Sequence, residues 1–396
     1  MHFLFLKTVY MNTTFITPHG QLELNRWPLH QPNNSLQAWD AADELLLEHA
    51  YEALANFAAS HQRAPKLLII NDSFGALSCA LAAYPHTQIN DSVLAKLGTL
   101  HNRKQNKLEH FLFTQQSSTS PYPDTVDIVL LKLPHNHSYL QYILQQLSKV
   151  ARPDTVVLAS AKAKDINRNV LAMFSAHLGE ATASLTVKKC RQINCNVHPQ
   201  PAASMVEYPV RWALEQSSFH LVNHANVFSR EKLDQGARFF LQHLPQADAG
   251  AQVIDLGCGN GVLGLQMLAQ QPDISMLFCD ESYMAVESAR LTISENLPEQ
   301  LAQCDFVADD CLNQQPDRSA DIIVCNPPFH QQHAVTSHIA SQMFVDAKRV
   351  LKQGGHLRIV ANRHLAYQSL LQHLFGNCRQ LAADPKFVIL EVVKRS

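Results

Sequence analysis

A strand, a glycine-bearing turn and a helix start occur twice in this chain, in the same order and almost in step. "LIINDSFGALS" (68–78) lies against "VIDLGCGNGVLG" (253–264) when Gly75 is set against Gly261. "INDSVLAKLGTLHNRKQN" (89–106) lies against "CDESYMAVESARLTISEN" (279–296) without a gap, and "DIVLLKLPH" (127–135) against "DIIVCNPPF" (321–329). The offset between the copies is 186, 190 and 194 residues at these places, so only small insertions separate them. Three ordered blocks at one long period read as a duplicated domain. Strands alternating with helices inside each copy read as a parallel sheet covered by helices, an α/β fold class.

The rest of the chain frames these copies. Its 396 residues suit two domains at roughly 100–200 residues each. "LQAWDAADELLLEHAYEALANFAA" (36–59) has a helical apolar stripe with acids near its start. Residues 181–222 read instead as successive antiparallel strands, and "EKLDQGARFFLQHL" (231–244) as a helix. The expected boundaries are a first domain over 1–190, connecting strands over 191–230 and a second domain over 231–396.

The copies differ where chemistry would sit. The second keeps Asp255, Gly257, Cys258, Gly259, Asn260 and Gly261 in a strand–turn–helix. Glycines there let a ligand approach the main chain, and a helix N-terminus suits pyrophosphate, as in a dinucleotide fingerprint. Asp255 argues otherwise, because a carboxylate before the glycines suits a cationic amino-acid group. Asp280 closes the next strand 25 residues later, where a carboxylate can accept both ribose hydroxyls. Asp309 or Asp310 ends the third strand, placed for an adenine amine. In the first copy Asn71 and Ser73 replace two glycines, Ile69 replaces Asp255, and Lys132 to His135 replace the Asn-Pro-Pro-Phe break. That copy has kept its shape and lost its site.

The break itself, Asn326, Pro327, Pro328 and Phe329, stops a core strand at two residues with no N–H to donate. It reads as a clamp for a flat, amine-bearing ring. The Asn326 oxygen and the Pro327 carbonyl can accept both amine hydrogens, and Phe329 can stack on the ring. A ring amine is a poor nucleophile, so an activated donor and close placement must do most of the work. These elements together make a pocket for S-adenosylmethionine, and here the chain resembles the Rossmann-like methyltransferases.

"NHANVFSREKLDQGARFFLQHLP", "DLGCGNGVLG", "CNPPFHQQHAV" and "VANRHLAY" resemble the bacterial ribosomal RNA guanine-N2 methyltransferases, the RsmC and RlmG family. "LQAWDAADELLL", "NDSFGALSCALA" and "SAKAKDI" resemble its large-subunit branch more than its small-subunit one. The resemblance implies two tandem Rossmann-like methyltransferase domains, the first degenerate. It implies methyl transfer to the N2 amine of one guanine in 23S ribosomal RNA (guanine 1835 in the resembled family). It places Asn326 to Phe329 on the guanine, the acids and glycines above on the cofactor, and Phe228 and Ser229 beside it. Alternatives are a 16S RNA target, adenine N6, a protein glutamine, or an RNA-binding scaffold with a vestigial site.

Charge supports an RNA partner. Residues 101–200 carry 12 Lys+Arg against 6 Asp+Glu, whereas 201–396 carry 15 against 20. Three basic clusters are candidate RNA contacts: Arg103, Lys104 and Lys107; Lys162, Lys164 and Arg168; Lys188, Lys189 and Arg191. Guanine N2 lies in the minor groove of paired RNA, so a base flipped from naked RNA is the expected substrate. The nine cysteines show no zinc spacing and suit a reducing cytoplasm. His330 and His333 lack acidic or thiol neighbours and imply no metal. The opening "MHFLFLKTVYM" is too short for a membrane span and lacks a signal-peptide pattern. It departs from the family's start, and Met11 is an alternative one. A cytoplasmic monomer is expected.

Overall fold

The computed structural model describes residues 12–29, 36–198, 206–328 and 334–395. It divides into two compact units, Met1–Met205 and Val206–Ser396. Each holds a seven-stranded sheet, and the two sheets have the same topology. The first runs Phe113–Ser117, His86–Asn90, Leu67–Ile70, Ile128–Lys132, Val156–Lys162, Cys190–Cys195 and Ala181–Ala183. The second runs Cys304–Ala308, Ser275–Asp280, Gln252–Leu256, Ala320–Cys325, Leu351–Asn362, Phe387–Val393 and Arg379–Ala383. In each, five strands are parallel and two antiparallel strands close one edge. Both are α/β folds of the Rossmann-like methyltransferase kind.

Local sequence explains the central strands. "LLII" is buried at every position, and "IIVC" likewise, because helices cover both faces of a parallel sheet. In each sheet the first strand in the chain lies between the second and the fourth, so strand order reverses there. Crevices at such a switch point are where ligands bind in open α/β sheets. In the second sheet, Leu256 pairs with Cys325 at that point, which brings the glycine turn and the Asn326 break to one sheet edge.

The boundaries expected from sequence need correction. Residues 191–230 are not one connector. Cys190–Cys195 belongs to the first sheet, paired antiparallel with Val156–Lys162. Val210–Ala213 and His220–Asn223 form a separate hairpin in the second unit, held to the helix Tyr283–Asn296. There the Thr292 hydroxyl accepts from the Val222 N–H at 3.0 Å. Reading strands by composition could not say which sheet each would join. The helix expected over 231–244 is Gln235–Leu241, because Asp234 caps it by accepting from the Ala237 N–H at 2.9 Å. The first long helix is Ala41–Ser60, capped by Asp40 with a reciprocal bond from the Asp40 N–H to Asp43.

Gly264 shows how tightly the second glycine turn is packed. A Cβ added there would sit 2.2 Å from a ring atom of buried Phe278. Overpacking of this kind costs more than the helix gains from alanine. Gly264→Ala is expected to lose about 1–3 kcal/mol of stability in denaturant unfolding; an unchanged midpoint would contradict this packing.

Candidate active site

The glycine turn follows Leu256 and delivers the helix Val262–Gln270. Gly261 caps that helix at φ +78°, and a Cβ there would press to 3.1 Å from the Ala289 backbone. Gly259 has φ +53° with open space where a Cβ would project, so its face of the loop is clear for a ligand. The Gly259 N–H donates to Asp280 Oδ2 at 3.0 Å, and the Ser282 N–H donates to Oδ1 at 3.0 Å. Ser282, not Asp280, caps the following helix. Asp280 is therefore held at its strand end, tied to the loop beside it.

Asp255 is fully buried. Its Oδ2 accepts from the Gly264 N–H at 3.0 Å, while Oδ1 has no partner. Burial pushes its carboxyl up to about 8, and the charge of Asp280 adds to the rise, against the opposing Gly264 bond. A buried carboxylate oxygen without a donor is costly and calls for a cationic or hydrogen-bonding guest.

Asn326 ends the neighbouring strand. Its Nδ2 donates to Asp234 Oδ2 at 3.4 Å, and its Oδ1 is buried without a partner. The site thus holds two orphaned acceptors, on Asp255 and Asn326, at one sheet edge. Pro327 is buried, and the Pro328 carbonyl accepts from the Tyr367 hydroxyl at 3.2 Å. Burial raises that hydroxyl to about 12, so it stays a donor and pins the turn. Phe329, His330 and His333 lie outside the described residues.

The other expected site residues have these surroundings. Asp309 is buried and its oxygens accept from the Asp310 N–H (2.8 Å) and the Gln314 N–H (2.9 Å), closing its own turn. Asp310 accepts from Gln342 at 3.1 Å. Asn260 points its amide at Asn223 Oδ1, 2.9 Å away in the interior. Cys258 is buried and its thiol is pushed far up, so it is packing. Ser229 has φ +57° and donates to the Lys232 carbonyl at 2.7 Å, a turn role. Phe228 presents a ring that is 59% exposed. Sequence reading missed Asp234 and Tyr367. The first lies inside the helix expected over 231–244, and nothing marks the second.

The first unit shows the same position with a cation in place of the amide. Lys132 stands where Asn326 does and pairs with Asp40 at 2.9 Å and Asp43 at 2.6 Å. Asp72, buried, accepts from the Ser78 N–H at 2.9 Å, the bond that Asp255 makes to Gly264 in the second unit. A cleft of about 630 Å³ opens at this switch point, with Arg26, Phe74, Asp72 and Lys132 in its wall.

The basic clusters divide on inspection. Arg103 is buried beneath the surface, donating to the carbonyls of Ser78, Leu108 and Phe111 and lying 4.2 Å over the Phe113 ring. It clamps the fold, and the expectation that it contacts RNA is corrected. Arg191 donates to the Ser184 and Ala183 carbonyls, which holds its hairpin. Lys188 and Lys189 form the two-residue tip of that hairpin, both with positive φ, and Lys188 pairs with Glu44 at 2.7 Å. Lys104, Lys107, Lys162, Lys164, Arg168 and Lys189 are exposed. Among the described residues no group of three or more His, Cys, Asp or Glu could hold a metal, and no helix is long and apolar enough to cross a membrane.

Comparison with known proteins adds family evidence. The RLMG N-terminal domain model matches residues 12–199, and the methyltransferase small domain model matches 218–391. Ribosomal RNA large subunit methyltransferase G of Pseudoalteromonas translucida (strain TAC 125) is 47% identical over 375 residues, covering 94% of this chain and 96% of that protein. Its namesake from Klebsiella pneumoniae (strain 342) is 46% identical over 378 residues, covering 95% and 97%. Among solved structures, the T. thermophilus 16S rRNA N2 methyltransferase RsmC, in complex with AdoMet and guanosine, superposes with a TM-score of 0.75. It covers 97% of this chain and 98% of its own at 19% identity, a likeness of fold.

Proposed function

The chain belongs to the ribosomal RNA large subunit methyltransferase G family, and on that premise we propose that it methylates the exocyclic N2 amine of a guanine in 23S ribosomal RNA. The cofactor is S-adenosylmethionine, and the substrate is naked RNA with the target base flipped out. The reaction belongs to the cytoplasm, which suits nine free thiols. The observation that carries this reading is the pair of buried, partnerless acceptors on Asp255 and Asn326, one strand apart at the switch point.

Each orphan fits a group of the proposed reactants. Asp255 Oδ1 accepts from the cofactor's ammonium. Asp280 stands at its strand end beside the open face of Gly259, where a carboxylate suits ribose hydroxyls. Asp309 or Asp310, after the third strand, stands for the adenine amine; the first closes its own turn and the second accepts from Gln342. When bound, S-adenosylmethionine supplies a methyl group on a positively charged sulfur. Asn326 Oδ1 and the Pro327 carbonyl accept the two amine hydrogens, which fixes N2 and turns its lone pair out of the acceptor plane. Those acceptors also oppose the positive charge that grows on N2. The surplus proton leaves N2 for water, so no strong base is needed. Exposed Lys104, Lys107, Lys162, Lys164, Arg168 and Lys189 suit contacts to the RNA backbone.

The test is methyl transfer from labelled cofactor to naked 23S RNA, naked 16S RNA and assembled large subunits, followed by nucleoside mass spectrometry. N2-methylguanosine in naked 23S RNA is the expected product. Label in 16S RNA alone, in adenine N6 or in protein would replace this reading, and greater activity on assembled subunits would remove its naked-RNA part.

A further inference from the structure

We propose that Asp234 is a positioning residue for methyl transfer: its carboxylate sets the Asn326 amide with nitrogen inward and oxygen toward the amine. This rests on the function proposed above. An ionised carboxylate only accepts hydrogen bonds, so the group facing it must be the Asn326 nitrogen, 3.4 Å away. That orientation leaves Oδ1 as the outward atom, buried and unpartnered. A flipped amide would place oxygen against carboxylate and offer two donors to an amine that itself presents donors. Asp234 thus decides which of two nearly isosteric amide states the substrate meets.

The first unit supplies an independent copy of the device. Asp40 caps the helix Ala41–Ser60 as Asp234 caps Gln235–Leu241. Each cap reaches the end of the fourth strand of its sheet, and each partner lies 92 residues after its cap. In the first unit the partner is the Lys132 ammonium, 2.9 Å from Asp40 and 2.6 Å from Asp43. The cap-to-strand contact survived duplication while its partner changed. The cation in one copy spends its charge on two carboxylates at the crevice wall. The amide in the other leaves one acceptor spare, and that spare acceptor is the atom the reaction uses. The same Asp234 oxygen that accepts from the Asn326 amide also accepts from the Ala237 N–H, the third of the helix, so the helix cap fixes where that carboxylate sits.

The experiment compares Asp234→Ser, which keeps a helix cap but cannot hold the amide, with Asp234→Asn, which can bind it in either sense. Both are measured as the full chain on naked 23S RNA, alone and in an Asn326→Ala background, with cofactor affinity by calorimetry as the folding control. The expected result for both is a kcat lowered roughly 10- to 100-fold, with RNA KM and cofactor Kd within about twofold of wild type. In the Asn326→Ala background neither substitution is expected to lower kcat further, because the amide it orients is gone. An unchanged kcat, a loss of cofactor binding that accounts for the defect, or a full further loss without Asn326 would each overturn the proposal. A wild-type chain that transfers no methyl to RNA would instead overturn the function it rests on.

Discussion

Asn326→Ala is expected to lower kcat for methyl transfer roughly 10²- to 10³-fold, the usual cost of deleting one fixed group aimed at developing charge. Cofactor affinity should stay within about twofold, because no described contact links Asn326 to the glycine turn. Stability should not fall. Asn326 contributes one long hydrogen bond and carries a buried acceptor with no partner, so truncation removes as much cost as benefit. An inactive protein with an undiminished melting temperature is the signature of a residue kept for chemistry rather than folding. Undiminished transfer by the variant would take Asn326 out of the mechanism, and a large drop in melting temperature would make it structural.

The second large effect is on cofactor binding and its pH dependence. In the free protein the Asp255 carboxyl is pushed up to about 8 by burial, so it is mostly neutral at pH 7. The cofactor's ammonium needs the ionised form. Below pH 8, binding must therefore release one proton from Asp255, and affinity should rise about tenfold per pH unit between roughly pH 6 and 7.5. It should fall again above roughly pH 8 as the ligand's amine loses its own proton. Calorimetry in buffers of different ionisation enthalpy reads the released proton directly. Asp255→Asn should lose the rising limb, keep the falling one, and bind roughly 10²-fold more weakly at pH 8. A wild-type affinity that is flat from pH 6 to 8 would show that Asp255 does not face the ammonium. The same shift bears on stability. A folded-state carboxyl raised above its unfolded value contributes stability below about pH 4, and that contribution is lost as pH rises to about 8. The free protein should therefore unfold more easily at pH 8 than at pH 6, and bound cofactor should reduce the difference.

Much of this protein was readable along the chain. The duplication, the parallel sheets, the glycine turn, Asp280 at its strand end and the break at Asn326 all follow from local rules. Strand alternation, φ > 0 at glycine and the missing N–H of proline act within a few residues, so sequence order alone carries them. What the fold alone decided was the partner of each polar group. Arg103 reads like its neighbour Lys104, yet it is buried under three carbonyls while Lys104 lies in solvent. Asp309 and Asp310 read as equivalent, yet one is consumed by its turn. Asp234 reads as part of a helix over 231–244, yet it caps that helix and reaches Asn326, 92 residues away. A charge's neighbours across that distance depend on how strands order themselves in the sheet, and the pattern of apolar residues around it holds no record of them.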